Sequence, residues 1–281
     1  MPTREPPPPC ETARMPRDRM QPIARLGEAR LRRVRGILTD VDDTLTRAGA
    51  IEPAALDALH RLRSAGIDVL AITGRPAGWS EPFALAWPVA AIVAENGGVL
   101  LRAEHGRLVR EFAQPEAERL RNARRLAACA AAVLRDVPGT TLARDSAGRL
   151  TDIAIDHGEF AHLDAAQIAQ VVSVMQAHGL RATVSSIHVN GWIGEHSKWS
   201  AAQWAVRQCT GAPLNVDEWL YVGDSTNDQL MFERIPLSVA VANIARFVPA
   251  LDVLPAYVTQ GERGAGFAEL AHALIAARGA G

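Results

Sequence analysis

From residue 35 onward, short apolar runs alternate with segments of helical periodicity. Gly36–Asp40, Asp68–Thr73 and Ala90–Ala94 are runs of the length and composition that form buried strands. Between the first two runs, Pro53 begins a segment whose leucines recur at helical spacing. Strands that alternate with helices predict a parallel sheet with right-handed crossovers, and therefore an α/β, doubly wound, Rossmann-like fold.

This alternation is interrupted in the middle of the chain. Two strand-like runs around His105 and Gly106 predict a hairpin, and the mixed strands and helices that follow predict an α+β insert. We therefore predict a catalytic core formed by residues 35–112 and 188–281, and a cap domain at 113–187. Residues 1–34 are rich in proline and arginine with little apolar periodicity, so a disordered tail is predicted there.

Composition excludes several classes of function. The formal net charge of −1 gives no global field toward nucleic acid or an anionic membrane. No apolar run approaches the roughly 20 residues that a membrane-spanning helix needs. The cysteines, Cys10, Cys129 and Cys209, are scattered and lack CxxC spacing, which argues against a disulfide framework or zinc site and is typical of a reducing cytosol. We expect a cytoplasmic protein, monomeric or homodimeric, that acts on a small molecule.

Polar side chains follow the predicted parallel strands. Asp40, Thr73 and Glu95–Asn96 fall at three carboxyl ends, where sites on such sheets lie. After the first strand, Asp40 and Asp42 stand at i and i+2, so both can face one site as the chain turns. One carboxylate can attack phosphorus if a cation offsets its repulsion from the phosphate, and the other can protonate the leaving group. For an isolated pattern of this kind, an acidic turn that caps the next segment is the alternative.

The chain contains a single lysine. Of its 30 basic residues, 29 are arginine and one is Lys198, at the start of a predicted helix after the insert. A compact ammonium there could neutralise both a phosphate and a nucleophilic carboxylate, a task to which the planar guanidinium of arginine is poorly suited. At the second strand end, the Thr73 hydroxyl and nearby backbone N–H groups could hold a phosphate oxygen. A solvated lysine and an ordinary Thr-Gly turn are the alternatives.

A second acidic segment, Gly223–Asp228, follows another apolar run. Together with Asp40 and the backbone carbonyl of Asp42, Asp224 would supply hard oxygen ligands, which favour magnesium over zinc. Asp228 could bind the metal through water or hold Lys198 in place. A calcium loop is the alternative, but the DxDxDG spacing and the closing glutamate of such loops are absent from this segment.

These elements, in this order, resemble the haloacid dehalogenase (HAD) superfamily of phosphohydrolases. The motifs are DxDxT from Asp40, the strand-end Thr73, Lys198, and GDxxND from Gly223. The insert follows the sequence ENGG at 95–98, a placement similar to that of the Cof-like branch, which includes sucrose-phosphate phosphatase, mannosyl-3-phosphoglycerate phosphatase and eukaryotic phosphomannomutase. The resemblance covers residues 35–281.

The resemblance implies a magnesium-dependent phosphatase that forms an aspartyl-phosphate. Its substrate would be a small phosphorylated metabolite, such as a sugar phosphate or a sugar phosphoglycerate. Asp40 is implied as the nucleophile and Asp42 as the general acid and base, with Thr73 and Lys198 completing the catalytic set. The implied binding residues are, for the substrate, Thr73, Gly74, Arg75, Asn96 and Lys198, and for Mg²⁺, Asp40, Asp42, Asp224, Asn227 and Asp228.

Two alternatives stay open at this point. A sugar phosphomutase or phosphotransferase would use the same machinery and would need basic cap residues for a second phosphate, which the arginine-rich insert could supply. A non-catalytic binding module should have lost a motif residue, and none is lost here. Asp43, where many family members have glycine, is expected to point away from the phosphate. Further candidate contacts for the leaving group lie in the insert and just after it: Arg144, Asp152, Asp156 and the stretch 185–192, which includes His188.

Overall fold

The computed structural model describes residues 20–279 and contains three sheets. Its helices are α1 (Glu28–Leu31), α2 (Pro53–Ser64), α3 (Ala77–Ala86), α4 (Glu116–Asp136), α5 (Ala165–Ala177), α6 (Lys198–Thr210), α7 (Gln229–Arg234) and α8 (Arg263–Gly279). Its strands are β1 (Gln21–Pro22), β2 (Gly36–Thr39), β3 (Thr46–Arg47), β4 (Ala50–Ile51), β5 (Asp68–Ile72), β6 (Ala91–Ala94), β7 (Val99–Glu104), β8 (Arg107–Phe112), β9 (Thr141–Leu142), β10 (Asp152–Asp156), β11 (Arg181–Val184), β12 (His188–Trp192), β13 (Trp219–Gly223), β14 (Ser238–Ala240) and β15 (Tyr257–Val258).

The core is a nine-stranded sheet in the order β1-β15-β14-β13-β2-β5-β6-β7-β8. In this order, the first seven strands, from β1 at one edge to β6, pair parallel with their neighbours. β7 pairs antiparallel with β6 and forms the predicted hairpin with β8 at the other edge. β13, β2 and β5 are neighbours, so their carboxyl ends lie side by side. The predicted doubly wound α/β core is confirmed.

Helices cover both faces of this sheet. Successive residues of a strand point to opposite faces, so neighbouring side chains pack against different helices. Ile37 packs in a cluster with residues of α2 and α8, while its neighbour Leu38 packs in another with residues of α6 and α7. Both side chains are fully buried. Such near-continuous apolar strands are typical of parallel sheets covered on both faces.

The insert has a sheet and a hydrophobic core of its own. Strands β11, β12, β10 and β9 form an antiparallel sheet in that order, and α4 and α5 pack against it. Leu126 and Val133 of α4 meet Val171 and Met175 of α5 in this cluster. The predicted α+β character of the insert is therefore present.

The predicted boundary of the insert is wrong at its carboxyl end. Residue 188 was expected to begin the returning core, yet β12 pairs with both β10 and β11 and lies inside the cap sheet. The chain returns to the core only after Trp192. The pattern of strands and helices in the sequence cannot locate this boundary, because the apolar pattern of a strand does not indicate which sheet it joins.

The predicted disordered tail is wrong for residues 20–34, and residues 1–19 lie outside the described part of the chain. β1 adds a parallel strand beside β15, and the short helix α1 follows. Ile23, Leu26 and Leu31 are buried in the core. These apolar residues are widely spaced among exposed arginines, so the composition of the segment does not predict that they pack in the core.

Candidate active site

The carboxyl ends of β2, β5 and β13 form one edge of the sheet, and the predicted motif residues meet there. Asp40 follows β2, and its backbone N–H donates to the Val222 carbonyl of β13 at 2.8 Å. Its side chain is almost fully buried. Strand pairing thus fixes the position of this carboxylate.

Lys198 is the first residue of α6 and is 4% exposed. Its Nζ lies 2.5 Å from Asp40 Oδ1 and 2.6 Å from Asp228 Oδ1, with Asn227 Oδ1 at 3.4 Å. A capping box at Ser197 and Ser200 begins the helix and sets the direction of its first turn. Burial disfavours the ammonium, but the two carboxylates outweigh it and raise the pKa of Lys198 above its ordinary value, so it is a fixed cation.

Asp228 accepts hydrogen bonds on both carboxylate oxygens. Oδ1 accepts from Lys198 and from the Tyr221 hydroxyl at 2.5 Å, and Oδ2 accepts from the backbone N–H groups of Asp224 and Ser225. At Gly223 a Cβ atom would collide with this carboxylate, which accounts for the glycine at the end of β13. This saturation favours the predicted role of holding Lys198 over direct metal binding.

Asp224 is fully buried and lies close to Asp40 and Asp228. Asn243 Nδ2 donates to Asp224 Oδ2 at 3.0 Å and also to the Asp43 carbonyl at 3.0 Å. The Asp43 side chain pairs with Arg246 and Arg263, at 2.7 Å and 2.8 Å, so its extra charge is neutralised locally. Its φ of 55° is in the left-handed region, where glycine is the less strained residue.

Three carboxylates of the site, those of Asp40, Asp224 and Asp228, have oxygens within 4.8 Å of one another. Burial, with repulsion from Asp228, raises the pKa of Asp40 to about 8, and burial with repulsion from Asp40 raises the pKa of Asp224. Lys198, together with the half-exposed Arg246 at 3.5 Å from Asp224 Oδ2, does not offset this concentration of buried negative charge. Hard oxygen donors with unrelieved repulsion fit a divalent cation such as Mg²⁺.

Thr73 and Gly74 form the neighbouring strand end, after β5. Thr73 is fully buried, and its Oγ1 accepts a hydrogen bond from the Arg75 backbone N–H at 3.0 Å. The Gly74 carbonyl accepts from two cap side chains, Arg149 at 3.0 Å and Asn190 at 3.2 Å. The cap therefore contacts the segment predicted to bind phosphate.

Arg75 connects Asp42 to the cap. Its Nε donates to both Asp42 oxygens, at 3.0 Å and 3.1 Å, and its Nη atoms contact Asp145 and Glu159 of the cap at 2.8–3.3 Å. Glu159 also lies 3.1 Å from His188 Nε2. Burial alone would raise the pKa of Glu159, but the hydrogen bonds from His188 and Arg75 lower it to about 2. Asp42 thus lies in an ion-pair cluster at the cap–core boundary, beside the cluster around Asp40.

Glu95 forms a second connection to the cap. It is fully buried, and its carboxylate accepts from the backbone N–H of Ala77 in the core and from those of Leu150 and Thr151 in the cap. The Thr151 hydroxyl donates to it at 2.6 Å. Its own φ of 53° is positive, as is that of Asn96. Strain at two successive residues is tolerated because the surrounding contacts fix them.

The candidate cap contacts have diverse environments. Asp152 pairs with the buried Arg149, at 2.9 Å, and burial raises the pKa of Asp152 to about 8 despite that partner. Asp156 accepts from three backbone N–H groups of the turn that follows β10, and Ser185 accepts from the His188 backbone N–H. The Arg144 guanidinium lies 3.7 Å from the centre of the Phe160 ring.

Reasoning from the sequence missed several residues that shape the site. Glu95 was noted at a strand end, but no role was assigned to it. Tyr221 gave no sequence signal, because it lies in an apolar strand. Asp145 and Glu159 of the cap lie 70 and 84 positions along the chain from Arg75, which they contact. The other missed residues are Asp145, Glu159, Asn243 and Arg246.

Comparison with known proteins agrees with the resemblance that the sequence motifs indicate. Residues 37–128 match the family of haloacid dehalogenase-like hydrolases. No curated protein sequence matches it significantly.

Several solved structures share this fold over most of the chain. A Thermoplasma acidophilum protein is 18% identical with a TM-score of 0.67, over 86% of this chain and 99% of that one. The sucrose-phosphatase of Synechocystis sp. PCC6803 is 16% identical with a TM-score of 0.61, over 86% and 98%. A Plasmodium vivax structure assigned to the HAD/COF-like hydrolases is 15% identical with a TM-score of 0.64, over 89% and 99%. These alignments span both the core and the cap, so the two-part fold is shared. The match of residues 37–128 agrees with the hydrolase class predicted from the sequence.

Among residues 20–279, no helix combines the length and the apolar character that crossing a membrane demands.

Proposed function

We propose that this protein is a magnesium-dependent phosphatase that hydrolyses a small phosphorylated metabolite through an aspartyl-phosphate on Asp40. One observation carries the proposal. The only lysine of the chain is buried between the carboxylates of Asp40 and Asp228, at a strand edge where Asp224 adds a third carboxylate within 4.8 Å. A purely structural role does not require three buried carboxylates around one ammonium, because burial of unpaired charge is costly.

Each residue of the site has a distinct task in this mechanism. Asp40 attacks phosphorus, and Lys198 neutralises charge on both the nucleophile and the phosphoryl oxygens. Asp42 gives its proton to the leaving oxygen and then takes one from the water that hydrolyses the aspartyl-phosphate. Thr73 and the backbone that follows it bind a phosphoryl oxygen.

Asp40, the Asp42 carbonyl and Asp224 would hold Mg²⁺, with Asn227 and Asp228 nearby. The ion would supply positive charge that reduces repulsion between Asp40 and the phosphate. Asp228 acts mainly on Lys198, because its oxygens already accept four hydrogen bonds.

The proposed substrate is a sugar phosphate or sugar phosphoglycerate. A cavity of about 370 Å³ lies between cap and core, beside Lys198, Asn96 and Asn227, and has room for a small metabolite. The structurally similar Synechocystis sucrose-phosphatase was solved with sucrose and phosphate.

Cys129 and Cys209 are unpaired, in keeping with a cytoplasmic location for the proposed enzyme.

A phosphate-release assay tests this proposal. The purified protein is incubated with a panel of sugar phosphates and with an aryl phosphate, with added Mg²⁺ or with EDTA, and an Asp40→Asn variant measures contaminating activity. We expect turnover that requires Mg²⁺ and is lost in the variant. Equal activity of the variant, or no hydrolysis of any phosphomonoester with Mg²⁺ present, would contradict the proposal.

A further inference from the structure

The groups around Asp42 form the wall that the leaving group must face. If Asp42 protonates the leaving oxygen, as the proposed function requires, that oxygen must come within hydrogen-bond distance of its carboxyl group. Arg75 from the core contacts this carboxyl group. Asp145 and Glu159 from the cap contact the same guanidinium, and His188 lies against Glu159. The charge of this wall therefore determines which leaving groups can bind.

Arg75 has no free donor for a substrate anion. Its guanidinium carries five N–H groups. Nε donates to Asp42, Nη1 contacts Asp145 and Glu159 at 3.2 Å and 3.3 Å, and Nη2 contacts Glu159 and Asp42 at 2.8 Å and 2.9 Å. An incoming carboxylate or phosphate would have to displace one of these carboxylates.

The other cations at the boundary also pair with carboxylates, and one of their donors, Arg149 Nε, is buried without a hydrogen-bond partner among the described residues. Arg149 is buried, contacts both Asp145 and Asp152, and donates to the Gly74 carbonyl. Arg181, which lines the cavity, pairs with Glu195. Around Asp42, four carboxylates (Asp42, Asp145, Asp152 and Glu159) face two guanidinium groups (Arg75 and Arg149) and one imidazole, so with the carboxylates ionised this wall carries no net positive charge.

Two uncharged groups that line the cavity lack partners. Asn96 Nδ2 and Thr183 Oγ1 are buried without a hydrogen-bond partner among the described residues, and both residues line the cavity. Asn96 is only 2% exposed. Buried polar atoms without partners cost stability, and hydroxyl groups of a ligand could satisfy both the donor and the acceptor.

We infer that the enzyme selects phosphomonoesters whose leaving group is uncharged and bears hydroxyl groups, a sugar or polyol, and discriminates against phosphorylated acids and bisphosphates. This inference rests on the proposed function and narrows it. It argues against a sugar phosphoglycerate, whose carboxylate would meet Asp145 and Glu159, and against a mutase, which must bind a second phosphate. Like charges placed together at a binding site provide this kind of selection against the wrong ligand.

Matched substrate pairs test the inference on the wild-type protein. Glycerol phosphate and phosphoglycerate differ by a hydroxymethyl group against a carboxylate, and glucose phosphate and glucose bisphosphate differ by one phosphate. With saturating Mg²⁺ we expect kcat/KM to be at least about tenfold higher for the neutral member of each pair. An aryl phosphate reports the chemistry of the core independently of either pair.

A charge-removing variant links the selection to the cap. Glu159→Gln should reduce the ratio of neutral to acidic kcat/KM, because one repelling carboxylate is lost, whereas Glu116→Gln, at an exposed position of α4, should leave the ratio unchanged. Hydrolysis of the aryl phosphate with equal or better turnover of the acidic substrates would overturn the inference and leave the proposed function intact. Failure to hydrolyse any of these compounds would overturn both.

Discussion

The core and the cap build their parts of the active site in different ways. In the core, Asp40, Thr73 and Asp224 each follow a parallel strand, so the backbone pairing of β2, β5 and β13 brings them together. In the cap, Asp145 and Glu159 lie outside the strands and reach the site through ion pairs with Arg75. Backbone pairing positions the groups proposed for chemistry, while side-chain pairing across a boundary positions those proposed for selection. Substitutions should therefore have larger effects in the core than in the cap.

The largest effect is expected from Asp40→Asn. The amide keeps the shape of the side chain but removes the nucleophile, so we expect kcat to fall at least about a thousandfold for every substrate, including an aryl phosphate. Steady-state phosphate release measures this. Asp68→Asn, the same change at an exposed position that begins β5, is the matched control. Activity of Asp40→Asn within tenfold of the wild type would remove Asp40 from its proposed role.

Lys198→Arg should come next. The ammonium fits between two carboxylates at 2.5 Å and 2.6 Å, and the larger, planar guanidinium does not. We expect kcat/KM to fall about a hundredfold or more, as it does when a preorganised electrostatic contact is lost. Arg207→Lys, on the exposed side of the same helix, controls for changes to α6. If the arginine enzyme kept most of its kcat/KM, the single lysine would be an accident of composition.

A smaller, substrate-dependent effect is expected at the boundary. Glu95→Gln leaves one acceptor and places an NH₂ group against backbone N–H donors of Leu150 and Thr151, so the contact between cap and core should weaken. We expect a loss of about 1–3 kcal/mol in the free energy of unfolding and a decrease in kcat/KM that is greater for a sugar phosphate than for an aryl phosphate. Denaturant titration and parallel kinetics measure the two effects. Equal losses on both substrates would show that Glu95 acts on the core alone.

The smallest effect concerns stability rather than activity. His196 lies in the segment that returns from the cap to α6, and burial, with a contribution from Arg181, lowers the pKa of His196 to about 4. Its neutral form is favoured in the folded state, so its contribution to stability is present above the ordinary pKa of about 6.5 and is lost as the pH falls toward 4.

Between pH 7 and pH 5, the wild type should therefore lose about 1–2 kcal/mol more unfolding free energy than His196→Gln. Denaturant titrations at the two pH values provide the comparison, with His60→Gln as the exposed control. The same pH dependence in all three proteins would show that His196 does not titrate as described.

The contrast between core and cap also determines how much the sequence could predict. The ends of strands can be predicted from apolar runs and the residues that follow them, so the sequence could place Asp40, Thr73 and Asp224 at one edge of the sheet. The neighbours of Arg75 were not, because pairs 70 and 84 residues apart depend on how the cap sits on the core. For the same reason, the membership of β12 in the cap sheet required the structure.

The measurement that tests the central claim most directly is chemical trapping of the intermediate. Wild-type enzyme is mixed with excess substrate and Mg²⁺, quenched in acid within the first turnover, digested, and examined by mass spectrometry. We predict a single phosphoryl group on the peptide that contains Asp40, absent from the Asp40→Asn protein. Rapid product release with no phosphorylated peptide at any quench time, or a phosphoryl group on a different residue, would contradict the account.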